Sequence, residues 1–327
     1  MDVLISIDYE VSGDGTGDPR QQIIKPTDDI LRLMEKLGLV ATFFIEVEEL
    51  QAFQKWRPRT FLAIKQQLDR IIAQGHEIAL HLHPQWRNAM FSARDKTFRL
   101  SPSRSWVMGA DDEGQALVDY LRSSRQMLNG WVNASRNCST ISGFRAGGYS
   151  CRNYDLMLDA LIEIGFSYDA SALVGSTRRG AYCEYDYTTF AGPACVGKEF
   201  CLLPVSSWQS SKLYNFSPQS LFRGGQSLSS QGRQDLRDGG VLQSLKKLIE
   251  IEARALDWTT SNQRQFRTQL HTCANDPYLS VIGHTKTAFN VRSLERKLRV
   301  LRDYSDRVDT HLDYARMSIS REVLRSL

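Results

Sequence analysis

The sequence predicts an α/β fold in which parallel strands are covered by helices. Short apolar runs typical of buried strands alternate with longer segments whose apolar residues recur at helical spacing. Polar and charged residues then follow the ends of several of these strands. Repeated β-then-α units imply parallel strands, which either close into a barrel or form an open, doubly wound sheet.

The elements of the N-terminal half alternate regularly between strand and helix. Gly38 and Gly75 each follow a helical segment, and glycine readily ends a helix because it tolerates the left-handed conformation. The strand after Gly75 carries half of the six histidines of the chain within ten residues. In chain order we predict a strand at 2–10, a helix at 27–37, a strand at 40–45, a helix at 59–74 and a strand at 76–83.

The C-terminal half continues the alternation but is interrupted by two segments without clear periodicity. These segments, 174–197 and 209–240, are rich in Gly, Ser, Arg and Tyr and are predicted to be loop insertions in a single domain spanning 1–327. The remaining predictions are helices at 112–132, 153–164, 241–256 and 293–304, and strands entering 143–149 and at 166–171, 200–206 and 278–283.

Composition is that of an ordinary globular protein, with 327 residues, enough for a large core. The 41 basic and 37 acidic residues are dispersed, which does not indicate a nucleic-acid partner, although a basic face for an anionic substrate stays open. No apolar run approaches the roughly 20 residues that span a bilayer, so no transmembrane segment is predicted. The N-terminus lacks a secretory signal, and we expect a cytoplasmic protein.

Polar side chains converge at the carboxyl ends of the predicted strands. Successive side chains of a strand alternate faces, so His81 and His83 share one face, as do Asp8 and Glu10. In parallel sheets of either type the carboxyl ends of the strands form the usual active-site edge. The residues predicted to meet at this edge are Asp8, Glu10, His81, His83, Arg145, Asp169 and His284.

These residue types are those of a metal site with an adjacent base. Glu10 together with His81 and His83 would supply the three protein ligands typical of a catalytic zinc. Asp8 would remain free to accept a proton from a water molecule. An isolated His-x-His pair is more often a surface pair than a metal site, but five strand ends that converge favour one common site.

The motifs resemble those of the polysaccharide deacetylases, the carbohydrate esterases with a NodB homology domain. Five motifs occur in the order of that family and span most of the chain. A His-x-His-Pro segment is also similar to one in the WbmS/WalW-like branch, which is associated with lipopolysaccharide and O-antigen biosynthesis. The motifs are Ser6-Ile7-Asp8-Tyr9 followed by Glu10, Gly75-His76-Glu77-Ile78 with His81, Arg145-Ala146-Gly147-Gly148-Tyr149, Tyr168-Asp169-Ala170-Ser171 and Val281-Ile282-Gly283-His284.

The resemblance implies a distorted (β/α) barrel and a metal-dependent hydrolase, with zinc as the expected metal. It implies that Asp8 is the general base, oriented by Arg145, and that His284 is the general acid. Asp169 is expected to orient His284. The expected reaction removes an N-acetyl group from an amino sugar or glycan precursor in surface polysaccharide biosynthesis, with nucleotide- and lipid-linked sugars among the expected substrates.

The segment after the third motif strand is expected to contact the substrate. The resemblance implies that a backbone N–H near Tyr149 stabilises the oxyanion, and Gly148 would let the chain approach the substrate closely.

Two positions depart from the family pattern. Gln85 stands where a second metal histidine is expected, and Tyr9 stands where a metal-binding aspartate is expected. His83 and Glu10 lie one or two residues away and offer replacements. Two alternatives remain open: a metal-free homologue that binds carbohydrate without hydrolysing it, and a hydrolase of another metal-dependent barrel family with a His-x-His pair.

Overall fold

The computed structural model of the protein describes residues 1–102, 106–132, 141–180, 183–211, 251–273, 276 and 278–325. Within these ranges the strands are β1 (Asp2–Tyr9), β2 (Thr42–Glu46), β3 (Glu77–Leu82), β4 (Met90–Ser92), β5 (Thr97–Arg99), β6 (Gly143–Ala146), β7 (Tyr168–Asp169), β8 (Thr177–Arg178), β9 (Tyr185–Asp186), β10 (Ala194–Val196), β11 (Phe200–Leu202), β12 (Ser207–Ser211), β13 (Ile251–Ala255), β14 (Tyr278–His284) and β15 (Arg307–Asp309).

Capping residues mark the ends of several helices. Gly38 ends the first helix with φ of 64°, and the Asn153 side chain accepts a hydrogen bond from a backbone N–H at the start of the fifth helix. The helices are α1 (Lys25–Leu37), α2 (Val47–Trp56), α3 (Pro58–Ala73), α4 (Gln115–Val132), α5 (Tyr154–Glu163), α6 (Gln263–Thr272), α7 (Val291–Tyr304) and α8 (His311–Arg325).

The main sheet is parallel from β11 to β14 and curls into a distorted (β/α) barrel, as the sequence predicts. The strand order is β10-β11-β7-β6-β3-β2-β1-β14, and β10 is antiparallel to β11. β15 adds a parallel pairing to the start of β1. Between the two ends of this order, the backbone N–H of Ser206 donates a hydrogen bond of 2.9 Å to the carbonyl of Ser280. The segment after β11 therefore reaches β14 across the open side of the barrel.

Alternate residues of β1 face two different cores. Val3, Ile5 and Ile7 are buried between the sheet and the outer helices, whereas Leu4 belongs to the core inside the barrel. Because side chains alternate with period two, Asp8 shares the interior face with Leu4. The interior of the barrel is therefore apolar in its middle and ends in a carboxylate at its upper edge.

Helix α8 covers the end of the barrel where the strands begin. The Nδ1 atom of His311 lies 3.0 Å from the hydroxyl of Thr42, and the backbone N–H of Leu312 donates to the Glu77 carboxyl at 3.0 Å. The Tyr168 hydroxyl donates to the other Glu77 oxygen at 2.7 Å. These bonds close one end of the barrel. The residues predicted to form the site lie at the other end, where the strands finish.

Some predicted elements differ from the observed ones. Helix α2 was not predicted, because it follows β2 directly and carries two glutamates in its first turn. The last residues of the helix predicted at 241–256 form strand β13, which pairs with β12, and 241–250 lie outside the described residues. The predicted loop at 174–197 contains the β8–β9 hairpin and β10, and 212–240 of the second predicted loop lie outside the described residues. Among the helices of the described residues, none is long and apolar enough to cross a membrane.

Candidate metal centre

The first predicted ligand, His81, is held at the interior face near the end of β3 and is 1% exposed. Its Nδ1 atom lies 2.9 Å from the backbone carbonyl of Arg145. A carbonyl oxygen can only accept, so Nδ1 carries the proton and Nε2 keeps a free lone pair. Nε2 is buried and has no hydrogen-bond partner among the described residues.

The lone pair of His81 faces two carboxylates, not a donor. His81 Nε2 lies 3.8 Å from Asp8 Oδ2 and 3.9 Å from Glu10 Oε2. Burial lowers the pKa of His81 to about 4, although both carboxylates oppose this shift, so the imidazole is neutral at neutral pH. A neutral nitrogen lone pair opposite two carboxylate oxygens is an arrangement that a cation would stabilise.

The second predicted histidine, His83, follows the end of β3 and faces the same space. Its Nε2 atom lies 2.9 Å from Glu10 Oε2, and its ring centroid lies 4.9 Å from that of His81. The backbone N–H of His83 donates to Glu46 at 3.0 Å, which fixes the chain at this point. A Cβ atom on Gly147 would come within 2.5 Å of the His83 ring. The absence of a side chain at Gly147 therefore makes room for the imidazole.

Glu10 divides its two oxygens between the histidines and a lysine. Oε2 faces the two imidazoles, and Oε1 accepts a hydrogen bond of 2.6 Å from Lys286 Nζ. Burial by itself would raise the pKa of the Glu10 carboxyl, but Lys286 and His83 outweigh it and hold the pKa well below its usual value. Glu10 is therefore ionised, with one oxygen directed at the histidines.

The ligand atoms of Glu10, His81 and His83 fit a divalent metal. All three lie within 4.8 Å of one another. Tetrahedral ligands at zinc distances are about 3.3 Å apart, between the 2.9 Å and 3.9 Å separations of Glu10 Oε2 from the two imidazoles. A second group that satisfies the same criterion is Asp8, Glu10 and His284. The orphan Nε2 of His81 favours the first group.

Asp8 is clamped by Arg145 beside this group. Arg145 Nη1 donates to Asp8 Oδ1 at 2.6 Å, and its other nitrogens donate to the Ser6 hydroxyl at 3.0 Å and to the Ala170 carbonyl at 3.1 Å. Burial would raise the pKa of Asp8, but Arg145 followed by His81 and His284 more than offset it and lower the pKa. Asp8 is thus ionised, and Oδ2 remains directed into the site.

His284 lies on the other side of Asp8, at the end of β14. Its Nε2 atom is 3.7 Å from Asp8 Oδ2, and its Nδ1 atom is 3.1 Å from Asp257 Oδ2. Burial would lower the pKa of His284, but the Asp257 and Asp8 carboxylates reverse the shift and raise it. Burial would raise the pKa of Asp257, but His284 together with the hydrogen bonds from Thr259 and Thr260 outweighs it and lowers the pKa to about 2.

The predicted contact of Asp169 with His284 is wrong, because Asp257 occupies that position. The Asp169 carboxyl instead accepts hydrogen bonds from the Tyr154 hydroxyl and from the backbone and hydroxyl of Ser171, two residues along the chain. Burial raises the pKa of Asp169 to about 6. Ser171 in turn accepts from the backbone N–H of Ala146 at 2.8 Å. Asp169 therefore stabilises the chain at the end of β6 through Ser171 and does not contact His284.

Gly148 and Tyr149, which the resemblance assigns to substrate and oxyanion contacts, line the cleft beside the candidate ligands. Both have positive φ, of 59° and 60°, in a single turn directly after β6. Both line a cleft of about 1230 Å³, which His83 and Asp257 also line. The turn therefore forms one wall of the space in front of the candidate ligands.

Two residues of the site, Asp257 and Lys286, were missed by the sequence analysis. Asp257 follows a segment that was predicted as helix, and its position depends on a bridge to Ile282 in β14. Lys286 lies two residues after His284, so the same period-two rule that paired Asp8 with Glu10 could have found it.

Comparison with solved structures identifies the fold. A protein from Mycobacterium smegmatis assigned to the polysaccharide deacetylases has 14% sequence identity and a TM-score of 0.50, with 98% of this chain and 90% of that chain covered. A protein of Pseudomonas aeruginosa PAO1 with the same assignment has 14% identity, a TM-score of 0.47 and coverages of 96% and 89%. The Puue allantoinase has 13% identity, a TM-score of 0.46 and coverages of 96% and 89%.

The first of these similarities shows that the protein has the fold of the NodB-type polysaccharide deacetylases, the type predicted from the sequence. At 14% identity the similarity shows the fold and not the reaction. No known protein family matches the sequence, and no curated protein matches it. The reaction therefore has to be argued from the site.

Proposed function

We propose that the protein is a metal-dependent deacetylase that hydrolyses the N-acetyl group of an amino sugar or a glycan precursor. The observation that carries the proposal is the buried lone pair of His81 Nε2, which faces Asp8 and Glu10 at 3.8 Å and 3.9 Å. The NodB-type fold supports a site at this end of the barrel. Glu10, His81 and His83 would hold the metal, and zinc fits their oxygen and nitrogen donors.

A metal held there would polarise the acyl carbonyl and would lower the pKa of a bound water to about 7. Asp8 acts as the general base through Oδ2, because Oδ1 is occupied by Arg145. The lowered pKa of Asp8 ensures that the carboxylate is ionised before it accepts the proton. Arg145 holds the carboxylate in one orientation, since its other two donor contacts, to the Ala170 carbonyl and the Ser6 hydroxyl, fix the guanidinium.

His284 acts as the general acid that protonates the leaving amine. Asp257 lies 3.1 Å from its Nδ1 atom and contributes to its raised pKa, which favours the protonated ring that a general acid needs. Nε2 lies 3.7 Å from Asp8 Oδ2, a separation that would allow the base and the acid to act on the same acyl group. The backbone at Tyr149 stays the proposed donor to the oxyanion.

The cleft supports a sugar substrate with an anionic attachment. Its volume of about 1230 Å³ exceeds that needed for a single sugar ring, and Trp106, Tyr149 and Trp208 supply aromatic surface on which a ring can stack. Arg178 adds a positive charge to the same wall. A nucleotide- or lipid-linked amino sugar matches these features. A role in surface polysaccharide or lipopolysaccharide biosynthesis stays a prediction from the sequence resemblance, as does the WbmS/WalW-like branch.

The test combines metal analysis with an assay for amine release from N-acetylated sugars, both free and nucleotide-linked. We expect about one divalent metal per chain, and hydrolysis that a chelator abolishes. Asp8→Asn is expected to keep the metal and to lower turnover by about 10²- to 10⁴-fold, the range typical of a lost general base.

Asp303→Asn is the matched control, because Asp303 lies exposed on α7 and pairs with Arg302 at the surface. It is expected to leave both metal content and turnover unchanged. Absence of metal together with absence of hydrolysis would contradict the proposed function. An active Asp8→Asn variant with metal bound would contradict the role of Asp8 alone.

The ion pair of Lys286 with Glu10 favours a second candidate function. The ammonium already neutralises the carboxylate at 2.6 Å, as a metal would. A carbohydrate-binding homologue without metal could use this pair to keep the site intact. Sugar binding that a chelator leaves unchanged, without hydrolysis, would support this second function and exclude the first.

A further inference from the structure

Gln85 contacts the ring of His83 from the side opposite to the candidate metal. The amide nitrogen Nε2 of Gln85 is placed 3.0 Å from His83 Nδ1, and the residue is 3% exposed. The amide oxygen Oε1 is buried and has no hydrogen-bond partner among the described residues. In this orientation the amide donates to Nδ1, and the proton of the neutral ring would then be on Nε2, which faces Glu10.

His81 shows the arrangement that a histidine ligand requires. Its Nδ1–H donates to the Arg145 carbonyl at 2.9 Å, which leaves the Nε2 lone pair free. For His83 to bind the same metal through Nε2, the proton must likewise lie on Nδ1. The two ends of a glutamine amide have nearly the same shape, so a half-turn about its last bond presents the oxygen to Nδ1.

We propose that Gln85 is a positioning residue whose side-chain carbonyl oxygen accepts the proton of His83 Nδ1 and thereby keeps His83 Nε2 available as a metal ligand. The inference rests on the proposed metal site. It also accounts for the departure from the family pattern, because the residue that replaces the expected metal histidine orients the histidine two positions before it.

Backbone hydrogen bonds fix the main chain on both sides of the Gln85 side chain. The turn Pro84–Trp86 is closed by a bond of 3.0 Å from the backbone N–H of Trp86 to the carbonyl of His83. The Gln85 carbonyl accepts from the backbone N–H of Ser101 at 2.9 Å. Gly13 forms the facing wall, where a Cβ atom would lie 3.6 Å from the amide nitrogen. A half-turn of the amide therefore exchanges its oxygen and nitrogen but keeps the group beside the His83 ring.

The test measures Zn²⁺ affinity of the full chain by competition with a chromophoric chelator, for the wild type, Gln85→Met and Gln85→Glu. Methionine has a similar shape but no strong acceptor, so we expect Gln85→Met to bind Zn²⁺ about 10- to 100-fold more weakly. The Gln85→Glu carboxylate accepts from Nδ1–H more strongly than an amide, so this variant is expected to bind at least as tightly as the wild type.

Affinities of both variants within threefold of the wild type would overturn the inference. Weaker binding by Gln85→Glu than by Gln85→Met would also overturn it, because the amide would then act as a donor. If Gln85→Met does not fold, the test rests on Gln85→Glu. A tenfold weaker affinity of that variant for Zn²⁺ would then overturn the inference.

Measurement of His81→Ala beside these variants separates this inference from the proposed function. A wild type that binds no Zn²⁺, or that binds it independently of His81, contradicts the metal site and with it the role of Gln85. A wild type whose binding requires His81 but not Gln85 contradicts the role of Gln85 alone.

Discussion

Asp8 and Glu10 at one end of the barrel and Glu77 at the other are buried carboxyl groups whose pKa values shift in opposite directions. At the upper end, where the strands finish, Asp8 and Glu10 face cations, and their pKa values are lowered by Arg145 and Lys286 against the effect of burial. At the lower end, burial raises the pKa of Glu77 to about 7, because its partners are neutral hydroxyl and backbone donors. Arg145 and Lys286 thus keep Asp8 and Glu10 charged, whereas the hydrogen bonds of Glu77 join the lower ends of the strands to helix α8.

The histidines at the two ends differ in the same way. His81 and His311 are both buried, and each has an Nε2 atom without a partner among the described residues. The ring of His311 packs against those of Phe44 and Tyr168, with centroids 5.4 Å and 5.7 Å away, whereas His81 faces carboxylates. An orphan imidazole nitrogen therefore indicates a metal ligand only where anionic groups lie opposite to it.

The largest expected effect separates these two histidines directly. His81→Ala removes a ligand, so Zn²⁺ affinity is expected to fall by more than the roughly 100-fold seen for residues that only orient a ligand. His311→Ala creates a cavity of similar size at the other end, and we expect it to lower the free energy of unfolding while it leaves Zn²⁺ affinity within threefold. Equal losses of affinity in the two variants, measured by chelator competition, would remove the distinction between the ends.

A smaller effect tests whether the pairing with Asp257 controls the pKa of His284, the proposed general acid. In the proposed mechanism His284 must carry a proton to act as the acid, and Asp257 contributes to its raised pKa. Asp257→Asn removes that charge, so the fall in kcat/KM on the alkaline side should begin about one pH unit lower. The acid limb, governed by the lowered pKa of Asp8, should stay in place. An alkaline limb at the same pH in the variant would show that His284 does not set it.

The smallest expected effect concerns stability at the lower end. The folded-state pKa of Glu77, about 7, exceeds its ordinary value of 4.5, so the folded protein binds this proton more tightly than the unfolded chain. The associated stability is present below pH 4.5 and is lost as pH rises to about 7. Since the side chain is partly exposed, we expect a loss of about 1–3 kcal/mol. The free energy of unfolding of Glu77→Gln, measured with urea at pH 5 and 7.5, should lack this loss. A loss in the variant equal to that of the wild type would contradict the raised pKa of Glu77.

Much of the upper end could be predicted because strand periodicity is local. The alternation of side chains places Glu77 and His81 on one face of β3, and the structure confirms that both point into the barrel, at opposite ends. The convergence of Asp8, Arg145 and His284 follows from the parallel order of β1, β6 and β14 in one sheet. These positions needed only the strand ends and the fold class.

The remaining features depend on contacts that local patterns do not contain. Asp257 reaches His284 because the chain after β13 bridges to Ile282, a pairing between segments 25 residues apart. Asp169 does end a strand as predicted, but its carboxyl turns to Ser171 two residues away, and strand parity does not determine that choice. Sequence patterns located the edge of the barrel, and the partners within it required the tertiary structure.

The most direct test of the account is anomalous X-ray diffraction from crystals of the wild-type protein grown with Zn²⁺ and measured at the zinc absorption edge. The account predicts one peak about 2.0–2.2 Å from His81 Nε2, His83 Nε2 and a Glu10 oxygen. A peak bound instead by Asp8, Glu10 and His284, or no peak at this end of the barrel, would contradict it.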